Sequence, residues 1–453
     1  MAEPRNVKVL EVCRVGPPPG SVADTSLPFT VFDVLWLVMP PVQRLFFYQF
    51  PQNSNKTHFI DTLLPKLKHS LSLSLRLFFP LAGNLILSPK SGEHEIRYID
   101  GDSVSLTVAE SDADFHRLAA NHPRDVLELH PLVPQLPVSD PQNQPLLALQ
   151  VTIFPDSGIC IGTSISHAAA DGSSSTHFMK SWASICRSGD ESLIKSRPFY
   201  DRSVAAYLDG LKRLRLDQMA TFKLDQAAES LKPRATPVLA AFVMGRADID
   251  TLRQRVLAQR SDDSQKPIHT SSFVLTCAYV WVCLIRSRGD DDRDKNVHFA
   301  FPVDCRARLD PPIAATYFGN CIDSCLCTAK GNDLLTEDGV GPASEAIGRA
   351  IQALNGGVLN SLETLLPTAI SIVVSGENFL TVAGSPKFRV YETDFGWGKP
   401  VKVEVVSIER TGAISLAESR DEEGGIEVGV VLSKSQMERF ASLFEEGLKN
   451  LRL

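Results

Sequence analysis

Along all 453 residues, short apolar runs alternate with longer segments whose apolar residues recur at helical spacing, and no fixed repeat links one unit to the next. That alternation points to an α/β architecture. Strand-like runs fall at 7–13, 94–99, 104–108, 146–154, 159–165, 238–244, 297–303, 370–374, 401–408 and 426–432. Helical spacing falls at 57–77, with Pro65 inside it, and at 112–120, 172–186, 249–258, 271–285, 343–354 and 435–451. The stretch 187–237 is the most polar and least periodic part of the middle and reads as a crossover between two α/β halves. A cleft between such halves is a common place for an active site.

Charge and cysteine content narrow the function. The 46 basic and 53 acidic side chains leave a net charge of −7, which disfavours a nucleic-acid partner or an anionic membrane surface. Nine cysteines, an odd number, are scattered from 13 to 327 without a CxxC pair, so a reducing compartment is expected. The N-terminal residues lack a signal-peptide profile, and no uncharged apolar run nears the roughly 20 residues that would span a bilayer. A cytoplasmic protein is expected. Residues 261–266 and 290–292 read as solvated surface loops.

The sharpest local feature is His167-Ala168-Ala169-Ala170-Asp171-Gly172. Two apolar runs joined by Pro155-Asp156-Ser157-Gly158 read as a β-hairpin whose second arm ends at Ser166-His167. Histidine titrates near neutral pH and can take a proton from an attacking hydroxyl or amine. A buried structural histidine is the plain alternative, but the small residues around it leave room for a ligand or another backbone. Asp171 has two readings as well. It orients the imidazole, or it pairs with an arginine such as those of Asp304-Cys305-Arg306-Ala307-Arg308.

Two further clusters combine glycine with aromatic residues: Tyr317-Phe318-Gly319-Asn320-Cys321 and Asp394-Phe395-Gly396-Trp397-Gly398. The second implies a tight loop with an unusual backbone path. Phosphate loops, dinucleotide fingerprints, HExxH helices and GxSxG elbows are absent from the sequence. Cys321, Cys325 and Cys327 lack zinc spacing, and the last two share one face of an expected strand, so no metal site is expected.

Together these residues resemble the BAHD acyltransferases, the plant acyl-CoA-dependent transferases. His167–Asp171 is similar to their HxxxD motif and residues 394–398 to DFGWG, in the family's order, with the resemblance covering nearly the whole chain. Residues 317–321 match the YFGNC motif of the subgroup that acylates anthocyanins and other flavonoid or phenolic glycosides, and 403–408 and 412–419 also look like that subgroup. The resemblance implies two chloramphenicol-acetyltransferase-like domains, each a mixed sheet with flanking helices, with a channel between them. The expected division is residues 1–190, a crossover at 191–235, and 236–453.

It further implies that His167 is the general base, that Asp171 points away to pair with Arg306, and that Asp394, Gly396, Trp397 and Gly398 shape the channel away from the chemistry. Tyr317, Gly319 and Asn320 are expected to be structural, and Lys402 and Ser407 to lie on the CoA side. No permanently bound cofactor is implied; acyl-CoA is a co-substrate, phenolic glycoside the acceptor, and the protein a monomer. Malonyl-CoA is preferred by analogy with the family, and its free carboxylate would call for a cation such as Lys180, Arg306 or Lys402. A coumaroyl or caffeoyl donor is the alternative, followed by an amine acceptor and by a non-catalytic small-molecule binder.

Overall fold

The computed structural model describes residues 7–50, 55–88, 91–136, 138–221, 237–258, 269–289, 293–360 and 362–452. Its architecture is α/β, built on two large sheets and one small one. The first large sheet runs, edge to edge, Val7–Val15, Val104–Ser111, Leu147–Phe154, Gly158–Ile165, Val42–Gln49 and Lys402–Val405. Every residue of its two central strands, Leu147–Phe154 and Gly158–Ile165, is buried. Burial on both faces accounts for their largely apolar character, and the buried Gln150, Thr152, Thr163 and Ser164 among them are hydrogen-bonded within the protein. Helices Leu64–Leu77 and Gly172–Ser188 cover one face.

The second sheet runs Ile322–Lys330, Asn296–Asp304, Asn378–Gly384, Ile414–Glu418, Ile426–Ser433, Pro237–Met244 and Arg124–Asp125. The helix Ser272–Ser287 packs against it and is buried almost all round, as its uniformly apolar sequence requires. A small third sheet joins Thr25–Pro28, Glu95–Tyr98, Asn84–Ile86 and Asn143–Pro145. The two large sheets exchange edge strands. Lys402–Val405 pairs with Val42–Gln49, and Arg124–Asp125 pairs with Pro237–Met244. Chain segments expected to belong to separate halves therefore share hydrogen-bonded ladders.

Two expected strands need correction. Residues 370–374 lie in the helix Leu362–Ser375, and the strand follows at Asn378–Gly384. The β-branched run Ile370, Ile372, Val373, Val374 has strand character, yet the helix forms and even holds Pro367. Proline there cannot donate to the carbonyl of Glu363. The Gln218 side chain supplies the missing donor at 2.9 Å. Residues 401–408 are extended only over Lys402–Val405, and a short helix, Ile408–Thr411, follows. In the 57–77 segment a π-turn, Phe59–Leu63, runs directly into the helix Leu64–Leu77, with Pro65 at the junction.

All nine cysteines are free thiols, and Cys321, Cys325 and Cys327 are buried. Among the described residues, no group of three ligating side chains could hold a metal ion, and no helix is long and apolar enough to cross a membrane. Within the expected crossover, the helix Asp209–Thr221 is described. Residues 222–235 and the loops at 261–266 and 290–292 lie outside the described residues.

Candidate functional site

The strand Gly158–Ile165 delivers the chain to Ser166 and the partly exposed His167, and the helix Gly172–Ser188 begins five residues later. Asp171 is its N-cap: one carboxylate oxygen accepts the Ser174 amide at 2.9 Å, satisfying a donor that the first helical turn leaves free. The other oxygen accepts the Cys321 amide at 3.1 Å and lies 2.8 Å from Nη2 of Arg306. Asp171 is 1% exposed and Arg306 3%. The carboxylate therefore turns away from the imidazole, and of its two readings the geometry places it in the arginine pair.

Arg306 knots three segments together. Its Nη2 donates to the Tyr317 carbonyl at 3.0 Å, the Gly319 carbonyl at 3.3 Å and Ser174 Oγ at 3.2 Å, while Nη1 reaches Asp304 at 3.1 Å. Burial on its own would lower its pKa, but the Asp171 and Asp304 carboxylates outweigh it and hold the guanidinium above its ordinary value. The guanidinium groups of Arg202 (5.1 Å) and Arg306 (5.8 Å) both lie over the Tyr317 ring, within the range of cation–π attraction. Gly319 has φ +144°, and a Cβ there would sit 2.3 Å from Nη1 of Arg202, so only glycine fits.

Asn320 is fully buried and fastens the histidine loop itself. Its side-chain amide donates to the His167 carbonyl at 2.9 Å, the Ala168 carbonyl at 3.3 Å and Asp33 Oδ1 at 3.1 Å. Asp33 in turn caps the helix Val31–Val34 through Thr30, whose amide and hydroxyl both donate to Oδ2 at 2.8 Å. The following 3₁₀ turn, Leu35–Val38, lays the Trp36 indole flat on the His167 imidazole, with centroids 3.8 Å apart and planes 8° from parallel. The His167 Nδ1 is buried and makes no hydrogen bond. Burial lowers the imidazole pKa below its ordinary value, against opposing contributions from its own carbonyl, Asp171 and Asn320. A neutral imidazole at physiological pH is the form that accepts a proton.

Residues 394–398 sit elsewhere. Asp394 Oδ1 accepts the Gly396 amide at 2.8 Å and the Gly398 amide at 2.9 Å, closing a loop in which both glycines have positive φ (105° and 109°). Trp397 stacks on Phe395 and meets Tyr48 edge-on, and the Tyr48 hydroxyl donates to the Thr393 carbonyl at 2.8 Å. Tyr48 lies opposite Ile159 in the first sheet, whereas His167 follows Ile165. Six residues at ~3.3 Å each put the loop about 20 Å along the sheet from the histidine end.

Lys402, expected on the CoA side, is instead 1% exposed and ion-paired to Glu427 (2.9 Å) and Glu404 (3.5 Å), with Asn121 accepting at 2.7 Å. The pairing of its strand with Val42–Gln49 turns it into the body of the protein, where those carboxylates compensate its charge. Ser407 is 8% exposed, and its Oγ accepts the Gln43 amide at 3.1 Å. Just beyond it, Glu409, Gly412, Ala413 and Ile414 join Arg288, Gln436 and residues 430–433 around a cavity of about 380 Å³. Lys180 stands 3.3 Å from Glu392. Lys180, Arg306 and Lys402, the three cations considered for a donor carboxylate, thus each have an acidic partner within the protein.

Trp36, Asp33 and Arg202 were not expected at the site. The Thr30-x-x-Asp33 spacing ahead of an apolar run carries a capping-box signal that could have found Asp33. Trp36 carries no comparable signal, since its contact with His167 spans 131 residues of sequence.

A family model described as the Transferase family matches residues 7–447. A malonyl-coenzyme A:anthocyanin 3-O-glucoside-6''-O-malonyltransferase of Dahlia pinnata is 38% identical over 468 aligned positions, covering 98% of this chain and 98% of that protein. A coumaroyl-CoA:anthocyanidin 3-O-glucoside-6''-O-coumaroyltransferase of Arabidopsis thaliana is 38% identical over 466 positions, with 98% and 97% covered. Among solved structures, vinorine synthase is similar in fold, with a TM-score of 0.69 at 19% identity and 97% and 98% of the two chains covered.

Proposed function

The chain belongs to the BAHD acyltransferases of the Transferase family, and from that premise we propose that it moves an acyl group from acyl-CoA to a sugar hydroxyl of a flavonoid or other phenolic glycoside. One observation carries the chemistry. The carboxylate of the HxxxD segment is spent on Arg306 and the helix cap, while burial lowers the His167 pKa and favours the neutral imidazole that acts as the base. His167 takes the hydroxyl proton as the oxygen attacks the thioester carbonyl. The tetrahedral intermediate then collapses and expels the CoA thiolate, which recovers the proton from the imidazolium, and no acyl-enzyme forms. Holding donor and acceptor together supplies several kcal/mol of the catalysis through proximity.

Asp171, Arg306, Tyr317, Gly319 and Asn320 support the base, and residues 394–398 brace the first sheet at a distance. Residues 1–190 and 236–453 form the two domains, joined by 191–235. The protein works as a cytoplasmic monomer with no permanently bound cofactor.

Malonyl-CoA is the favoured donor, in keeping with the Dahlia relative. The coumaroyltransferase relative, equally identical, favours an aromatic donor as the second reading. Because Lys180, Arg306 and Lys402 are already paired, a malonyl carboxylate would be met by other donors. The test is release of free CoA from malonyl-, acetyl-, coumaroyl- and caffeoyl-CoA with one anthocyanin glucoside and one simple phenolic glucoside. Turnover confined to malonyl-CoA is expected. Turnover confined to the aromatic donors overturns the donor assignment but not the base, and His167→Ala that still turns over overturns the base.

A further inference from the structure

The Trp36–His167 stack has no part in the chemistry described so far, yet it is the closest ring contact His167 makes. We propose that Trp36 is the positioning residue of the base: its indole fixes the plane of the His167 imidazole and stabilises the imidazolium that forms as the sugar hydroxyl gives up its proton. The inference rests on His167 being that base.

Hydrogen bonding holds neither ring firmly: the imidazole has only the weak polar contacts of its own carbonyl and the Asn320 side chain. The Trp36 Nε1 and the His167 Nδ1 are both buried without a partner. The plane of the imidazole is therefore fixed mainly by the broad contact against its face, and that is the indole, 3.8 Å away and 8° from parallel. Neutral aromatic rings gain most from offset or edge-on contacts, whereas a cation gains from lying over an indole face. A face-to-face stack thus favours the protonated base more than the resting one.

The frame around the stack keeps the two rings in register. Asp33 closes the helix that leads into the Trp36 turn, and through Asn320 it is linked to the His167 carbonyl (3.1 and 2.9 Å). The charged groups packed around the loop are already matched. Asp171 faces Arg306 at 2.8 Å, and Arg306 also takes Asp304. Asp33 faces Arg202 at 3.6 Å, and Arg202 lies over Tyr317. With those carboxylates committed, the groups left beside the imidazole to respond to a new positive charge are the Asn320 side chain, whose buried Oδ1 has no other partner, and the indole across its face.

The test keeps the shape of residue 36 and changes its electrons. Tryptophan at this position alone is replaced by 5-fluoro-, 5,6-difluoro- and tetrafluorotryptophan through nonsense suppression, and kcat/KM for CoA release is followed against pH. Fluorine drains the indole face, so the acid-limb midpoint should fall step by step, by about half to one pH unit across the series. In parallel kcat should drop, with acyl-CoA affinity by calorimetry unchanged. Trp36→Phe should keep most of kcat, and Trp36→Leu should lose tenfold or more with KM for the donor little altered. A midpoint that stays fixed across the fluorinated series, or a Leu variant that matches the parent protein, overturns the proposal. His167→Ala separates the two failures: lost turnover with a flat fluorine series sinks only the role of Trp36, and retained turnover sinks the base and this inference together.

Discussion

Replacing Arg306 with methionine keeps most of the apolar stem of the side chain while removing its charge. Asp171, 1% exposed, would then hold a negative charge against only two amide donors, from Ser174 and Cys321. Three acceptors, the carbonyls of Tyr317 and Gly319 and the Ser174 hydroxyl, would lose their guanidinium donor. Breaking a buried ion pair from one side costs about 3–5 kcal/mol, against a total stability of about 5–15 kcal/mol for typical domains. Arg306→Met should therefore lose roughly 4 kcal/mol in urea unfolding at neutral pH with an unchanged m-value. Asp171→Asn keeps the cap oxygen facing Ser174 and should cost less.

The double variant should be more stable than the two single losses added together predict, by about 2–3 kcal/mol, because no uncompensated charge is left behind. Turnover adds an independent reading. The pair holds the segment that carries His167, and small displacements of a catalytic group cost about a hundredfold in rate, so kcat of Arg306→Met should fall well beyond any change in donor KM. Strict additivity of the two stability losses, or a folded Arg306→Met protein with full kcat, would refute the view that this pair positions the base.

Burial lowers the His167 pKa, and the deprotonated ring is the active form, so activity should persist downward in pH; the acid-limb midpoint of kcat/KM should lie below about 6.5, and a midpoint above 7 contradicts that sign. Lys402→Met leaves Glu404 with Arg124 and Glu427 with only the Tyr391 hydroxyl, and should cost about 3–5 kcal/mol at pH 7. Burial already raises the Glu427 pKa; without its cation it would rise further, so the penalty should shrink in urea unfolding at pH 5, and one that grows toward acid pH would be inconsistent. Gly172→Ala drives a Cβ to 2.5 Å from the Phe388 ring and should lose about 1–3 kcal/mol. By contrast Gly210→Ala, with open space in the helix Asp209–Thr221, should gain about 0.5–1 kcal/mol, both read by urea midpoints.

What the sequence made legible was what is encoded locally. The hairpin ending at His167 could be read because Leu147–Phe154 and Gly158–Ile165 are mostly apolar and separated by a turn with the right residues. The helix after Asp171 could be read from its spacing, whereas the role of Asp171 as its N-cap emerged only from the fold. Even the Arg306 partnership was accessible, since the segment after a strand offered two arginines, Arg306 and Arg308, and the family resemblance pointed to an arginine partner for Asp171. Where the reading failed, the deciding atom came from far along the chain. Residues 370–374 have strand composition, and the helix that holds them accommodates Pro367 with the help of Gln218, whose amide lies 145 residues from the carbonyl it serves.

Lys402 failed in the same way. A lysine beside a family-like segment looks available to a phosphate, and only the exchange of an edge strand between the sheets shows that it faces Glu427 and Glu404 instead. The site repeats that division between local and distant information. His167 and Asp171 stand four residues apart and announce themselves, whereas the groups that fix the histidine, Trp36 on one face and Asn320 at its carbonyl, arrive from 131 residues before it and 153 residues after it. The base is encoded in a short motif, but its orientation is a property of the assembled fold. Substitutions outside the motif should therefore alter turnover without disturbing the His167–Asp171 spacing.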